Sequence, residues 1–306
     1  MRQQIDQFLD YLVSDKDCTA NTTAAYRNDL TQFIHFLESY STPDKEQITS
    51  WRDLDSTVLQ NYLLYLKGRE YASSTVARKF AAVKSFCQYL YNTGEVDSDP
   101  TTGLESPKVE KSLPRTIDPD EIERLLNAPA HNKSPKSLRD KALMETLYAT
   151  GMRVTELVSL DVGDVDLKKK TVVCGANTRR SRVAPIYDKA VRALEVYLDR
   201  GRPQLLVDPD ENALFLNHRG QRLTRQGLWL IIKRYVAEAG IKGSVTPHTL
   251  RHIFAAHMLD SGADLKEVQE RLGHANLSTT QVYQQVSEEH APELMVDGEA
   301  TSAVGV

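Results

Sequence analysis

Residues 246–283 read TPHTLRHIFAAHMLDSGADLKEVQERLGHANLSTTQVY, a run of short helices whose ends are marked. Thr246 offers its hydroxyl to a first turn, and Pro247 stands at the first helical position, where a missing N–H costs nothing. Gly262 closes that helix, Asp264 with Glu267 opens the next in the manner of a capping box, and Gly273 closes it. His274 then follows a helix end, on a turn. Ser278 with Gln281 starts a further short helix that has Tyr283 one turn in. On the first helix His248 and Arg251 are three residues apart and share a face. So close to a helix N-terminus, where the dipole already favours negative charge, the two can meet one anion jointly.

The rest of residues 117–306 mixes helices with a small sheet. Asp118-Pro119-Asp120-Glu121 combines a cap, a proline at the first position and acids in the first turn. Leu138 to Ala149 reads as an apolar helix closed by Gly151. Between Asp164 and Tyr187 the period changes: Thr171-Val172-Val173-Cys174 and Arg182-Val183-Ala184-Pro185-Ile186 flank Gly175-Ala176-Asn177-Thr178, which predicts a hairpin. Helices resume after Lys189. The first hundred residues show helical spacing and no alternating strand. Their segments are Ile5 to Val13, a helix capped by Asn21 or Thr22 with Tyr26, Leu30, Phe33, Ile34 and Leu37 inward, Thr57 to Lys67, and Ser74 to Tyr91 ended by Gly94. Four prolines and few large apolar residues mark Ser98 to Pro119 as a connection. The expected organisation is an N-terminal four-helix domain over 1–97, a linker over 98–116, and a mixed α/β domain with a C-terminal tail over 117–306. The fold class is mainly α with a small β-sheet.

A chain of 306 residues, 41% hydrophobic and 26% charged, can bury the cores of two domains. It has no run of about 18 uncharged apolar residues, and its polar start, MRQQIDQFLDYL, lacks the apolar centre of a signal peptide. A cytoplasmic protein with no membrane partner is expected. Cys18, Cys87 and Cys174 are too far apart for CxxC metal spacing and make no disulfide framework. The net charge of −4 argues mildly against nucleic acid, but the distribution of that charge points the other way. Residues 1–110 carry 11 Lys and Arg against 16 Asp and Glu; residues 111–306 carry 27 against 26. Bases bunch at Lys168 to Lys170, at Arg179, Arg180 and Arg182, at Arg219, Arg222 and Arg225, and at Lys233-Arg234. Such local patches can bind phosphate, although any single cluster is equally a solvated face.

Taken singly, His248, Arg251 or Tyr283 has an ordinary packing explanation. Together with Ala149-Thr150-Gly151-Met152-Arg153-Val154-Thr155-Glu156-Leu157, the run from Thr246 to Tyr283 resembles the tyrosine recombinases of the phage integrase family, and within them the Xer-type enzymes. The shared features are the H-x-x-R pair, Leu-Gly-His, and a Tyr nine residues after His274. The layout is similar too, since that family joins a helical, SAM-like DNA-clamping domain to a mixed α/β catalytic domain. The resemblance implies that Arg153, His248, Arg251 and His274 surround a scissile phosphate and that Tyr283 is the nucleophile. The residue types suit the chemistry. Two guanidiniums can hold the charge that grows on the nonbridging oxygens by bidentate bonds, with neither a metal nor another cofactor. A tyrosine with a reference pKa near ~10 needs a base and a positive field, and His248 is the expected base. A 3′-phosphotyrosine conserves the bond energy, so rejoining needs no ATP.

One position departs from the family pattern, which has a Lys in the hairpin turn that protonates the leaving 5′-oxygen. Here that place falls on Asn177, whose amide is no general acid. Arg179 or Arg180, a water, or His248 is left to serve; an arginine, with a pKa above about 12, holds charge better than it gives up a proton. Glu156, three residues after Arg153, either orients it or forms an exposed helix pair.

The expected partner is duplex DNA with a short, partly palindromic site. Four protomers would assemble on two sites, as a homo-tetramer or as a hetero-tetramer with a second recombinase. The expected tasks are chromosome or plasmid dimer resolution, or integration and excision of a mobile element. Expected DNA contacts are Arg179, Arg180, Arg182, Arg222 and Arg225, with Lys84 on an N-terminal helix. Family tails of this kind dock on a neighbouring protomer, and Leu294, Met295 and Val296 offer an apolar plug. A relaxing enzyme of the type IB topoisomerase kind and a DNA-binding module without catalysis are the competing readings.

Overall fold

The computed structural model describes residues 1–40, 48–107, 109, 117–176, 178, 181–243 and 245–273. The chain divides into two compact units, Met1–Ser112 and Leu113–Val306, and each has a core of its own.

The first unit holds α1 (Arg2–Ser14), α2 (Ala20–Ser39), α3 (Ser56–Lys67) and α4 (Ser73–Asn92), with a 3-10 turn at Trp51–Asp53. α2 is capped by Thr19 rather than by Asn21 or Thr22, because the Thr19 side chain accepts the N–H of Thr22. α3 is capped by Asp55, whose carboxylate accepts from Val58 N at 2.9 Å. Gly94, at φ +75°, follows α4, and the next amide, Glu95 N, returns to Leu90 O at 2.9 Å. This closes the helix as a left-handed glycine can. The inward faces meet in an aromatic cluster: Phe33 lies 4.7 Å from Tyr62 between ring centroids, and Trp51 stands edge-on to Phe86 at 4.8 Å. The buried Asp29 is held by Lys79 at 3.0 Å and by Arg78, which removes the penalty of an unpaired buried charge. Residues 98–104, read from the sequence as the start of the linker, pack on this unit. Leu104 lies against its core, and its carbonyl accepts from Lys84 Nζ at 2.8 Å.

The second unit comprises α5 (Pro119–Asn127), α6 (Pro135–Thr150), α7 (Val154–Ser159), β1 (Val165–Asp166), β2 (Thr171–Cys174), β3 (Arg182–Pro185), α8 (Asp188–Val196), α9 (Arg202–Leu205), α10 (Arg225–Glu238), α11 (Pro247–Asp260) and α12 (Leu265–Leu272). α6 runs through the core, packed by α8 and α11, and buries polar as well as apolar residues. Its Asp140 is fully buried and bonded to Arg139 Nε at 2.8 Å, Arg234 Nη2 at 2.8 Å and Tyr235 Oη at 3.1 Å. The three strands pair antiparallel in the order β1-β2-β3, with Cys174 opposite Arg182 and Val172 opposite Ala184. Side chains alternate across β3, so Ala184 is buried while Val183 is exposed.

Candidate active site

α11 begins as its sequence dictates. Thr246 Oγ1 accepts from Thr249 N at 3.2 Å and Thr249 Oγ1 accepts from Thr246 N at 3.0 Å, a reciprocal cap on a helix that has Pro247 in its first turn. His248 is exposed in this first turn, and Arg251, one turn on, is only 3% exposed. The rings of His248 and His252 lie 6.3 Å apart. Burial, reinforced by the neighbouring His248 and Arg251, holds His252 below the usual histidine range.

Three guanidiniums converge on the C-terminal end of α12. Arg182 Nε donates to Arg271 O at 2.7 Å, Arg251 Nη2 to Leu272 O at 2.6 Å, and Arg153 Nη2 to Gly273 O at 2.8 Å. Three successive carbonyls at the negative end of a helix dipole are thus met by cations from three different elements. Gly273, at φ +65°, makes the close approach possible, since a Cβ there would stand 3.1 Å from Arg182 Nη1. Arg251 Nη1 also donates to Gly151 O at 2.6 Å, which ties the end of α6 to the same place.

Glu156 binds two of the three cations. Its Oε2 accepts the backbone N–H of Arg153 at 2.7 Å and so caps α7, while Oε1 takes Arg153 Nη1 at 3.1 Å. Arg182 grips both oxygens, Nη1 to Oε1 at 2.9 Å and Nη2 to Oε2 at 3.2 Å. Burial alone would raise the Glu156 carboxyl, but the bonds from Arg182 and from the Arg153 amide hold it below the usual carboxylate range. Its side chain is 10% exposed, so the helix-pair role on an open surface does not apply.

Among the expected catalytic residues, Arg153 and Arg251 come together at the end of α12, with His248 on the same helix as Arg251. Arg153 keeps the more open side chain, 31% exposed. His274, Tyr283, Asn177, Arg179 and Arg180 lie outside the described residues. Three expected DNA contacts have their cationic groups bonded within the protein. Arg182 is engaged as above; Lys84 donates to Leu104 O; Arg222 donates to Val158 O at 3.2 Å, Leu160 O at 3.0 Å and the Asp161 carboxylate. Arg225 is exposed at the start of α10, on a face that also shows Trp229 and Lys233, the ammonium 5.1 Å from the indole centroid. The sequence alone did not point to Arg182 as a partner of Glu156. The alternation Arg182, Ala184, Ile186 carried the signal, since it puts the arginine on the buried side of β3.

Two adjoining clefts beside α11 share Tyr148, Tyr187 and His257. Tyr148 Oη and His257 Nδ1 are 2.7 Å apart, and burial keeps His257 below its usual range despite Asp260. Among the described residues no group of His, Cys, Asp or Glu is arranged to hold a metal ion, and no helix is long and apolar enough to cross a membrane.

Residues 115–290 match the model of the phage integrase family, and residues 5–94 match that of the phage integrase N-terminal SAM-like domain. The chain is 50% identical over 291 residues to the tyrosine recombinase XerC of Herpetosiphon aurantiacus, covering 95% of this chain and 93% of that one. It is 40% identical over 288 residues to the tyrosine recombinase XerD of Listeria innocua, covering 94% and 95%. Among solved structures it is similar to the XerH site-specific recombinase bound to palindromic difH substrate, with TM-score 0.75 and 20% identity over 94% of this chain and 82% of that one. That likeness is one of fold.

Proposed function

The chain belongs to the phage integrase family and is a site-specific tyrosine recombinase, and from this premise we propose that Tyr283 is its nucleophile, with Arg153, His248, Arg251 and His274 around the scissile phosphate. The observation that carries the reading is the meeting of Arg153 and Arg251, far apart in sequence, on the carbonyls of Gly273 and Leu272. His274 is the very next residue of the chain. A phosphodiester beside this helix end meets two guanidiniums that stabilise charge growing on its nonbridging oxygens. His248 takes the proton of Tyr283, whose oxygen attacks phosphorus. The bond from phosphorus to the 5′-oxygen breaks, and the 5′-hydroxyl leaves once protonated. The 3′-phosphotyrosine is then attacked by a 5′-hydroxyl of the second duplex, which completes the exchange without metal or nucleotide.

The DNA partner is a duplex with a short, partly palindromic site, bound by four protomers on two sites, either identical or shared with a second recombinase. The exposed face of α10, with Arg225 and Lys233, faces the duplex. Leu294, Met295 and Val296, in the C-terminal tail, offer an apolar plug to a neighbouring protomer. Resolution of chromosome or plasmid dimers in the cytoplasm, on the nucleoid, is the task these parts suit, with integration and excision using the same chemistry.

Covalent trapping tests the assignment. On a duplex nicked beside the cleavage position, the departing strand is lost and the full-length protein accumulates as a denaturant-stable adduct, in the presence of a chelator and without nucleotide. Tyr283→Phe forms none. An adduct in that variant would move the nucleophile to another residue.

A further inference from the structure

We propose that Arg182 is a positioning residue for strand cleavage, holding Arg153 in place through Glu156; the proposal rests on the recombinase reading of Arg153 given above. In the sequence Arg182 belongs to a basic run beside Arg179 and Arg180, as a DNA-contacting residue would. Its side chain, however, is 12% exposed. As the first residue of β3 it sits opposite the buried Cys174, on the face shared with Ala184. Its fork closes on both oxygens of Glu156, and its Nε donates to the carbonyl of Arg271.

The consequence is mechanical. Arg153 and Arg182 each give the Glu156 carboxylate two hydrogen bonds. The pair from Arg153 includes the backbone N–H, so the carboxylate fixes both the start of α7 and the direction of the guanidinium. What fixes the carboxylate is Arg182, anchored at its other end to α12. A planar fork of this kind sets orientation as well as charge, and a lysine in its place keeps the charge but cannot grip both oxygens. The hairpin strand, the start of α7 and the end of α12 are thereby joined at one carboxylate. Without Arg182, the Glu156 carboxylate is held by Arg153 alone, and of the two bonds that direct the Arg153 guanidinium only the one to Gly273 O keeps a fixed partner.

The test uses the full-length protein and the nicked duplex at saturating protein, with DNA affinity and thermal melting measured alongside. Arg182→Lys and Glu156→Gln are each expected to slow adduct formation by about tenfold to a hundredfold, the scale of a small misplacement at a reacting centre. DNA affinity should stay within about twofold. The double variant should be no more than about twofold slower than the slower single one, because both changes cut the same connection. Penalties that multiply in the double variant, or a weaker affinity with an unchanged saturated rate, would overturn the proposal and return Arg182 to direct DNA contact. If Arg182→Lys is unfolded at the assay temperature, the nearly isosteric Glu156→Gln decides, and a wild-type rate there overturns it. No adduct from the wild-type protein would remove the recombinase reading itself, and this proposal with it.

Discussion

At the scale of single residues, the open chemical question is how the leaving 5′-oxygen acquires its proton. Asn177 has no acidic proton to give, and the nearby Arg179 and Arg180 hold theirs too tightly. If Tyr283 attacks as proposed, departure of the strand rather than that attack should be the slow step on ordinary DNA. Replacing Asn177 by Lys should speed adduct formation on an ordinary duplex. The gain should shrink on a duplex with a 5′-bridging phosphorothiolate, whose sulfur leaves with little need of a proton. Equal gains on both substrates would show that the lysine acts elsewhere, and a donor such as His248 or an ordered water would then already supply the proton.

At the scale of elements, the site is a set of helix ends brought together, and local chemistry explains only half of it. Thr246, Asp264, Gly151 and Gly273 were legible because caps and left-handed glycines act within a few residues. The hairpin was legible from its change of period. The first turn of α2 was misplaced because Thr19, Asn21 and Thr22 offer similar capping chemistry, and only the folded turn selects Thr19. The long-range bonds that hold the site together were not legible: Arg251 reaches Gly151 and Arg182 reaches Glu156 across long stretches of chain, and the alternation along β3 marks Arg182 as inward-facing without naming its partner. The junction of α6 and α11 can be tested at Gly151. Its φ of +55° is unsuited to a side chain, and a Cβ would stand 2.3 Å from the Phe254 ring. Gly151→Ala should cost about 1–3 kcal/mol from backbone strain and overpacking, read as a lower urea midpoint. It should also slow adduct formation, because the carbonyl it displaces is the one that holds Arg251 Nη1. A variant as stable as the wild type would mean that α11 shifts freely, and that the tie between Gly151 and Arg251 places nothing.

At the scale of the whole molecule, the chain carries its acidic excess in residues 1–110 and most of its bases beyond them, and the apolar cores are as separate as the charges. One core draws on residues between Ile5 and Val96, the other on residues from Ile117 to Ile253. Two cores without a shared residue should melt as two cooperative events. The two tryptophans make this measurable, since Trp51 is buried in the first unit and Trp229 is exposed in the second. Fluorescence in urea then follows mainly the first unit, whereas far-ultraviolet circular dichroism follows both. Phe33, fully buried between Trp51 and Tyr62, supplies the perturbation: Phe33→Ala should remove about 3–5 kcal/mol from the first unit. That is a large part of an ordinary domain's stability. The fluorescence midpoint should fall, and the dichroism curve should split into an early step and a later one that stays at the wild-type midpoint. If the whole dichroism signal moved with the fluorescence, the two units would be one cooperative body. Substitutions in the first unit would then be felt at the guanidiniums of the second.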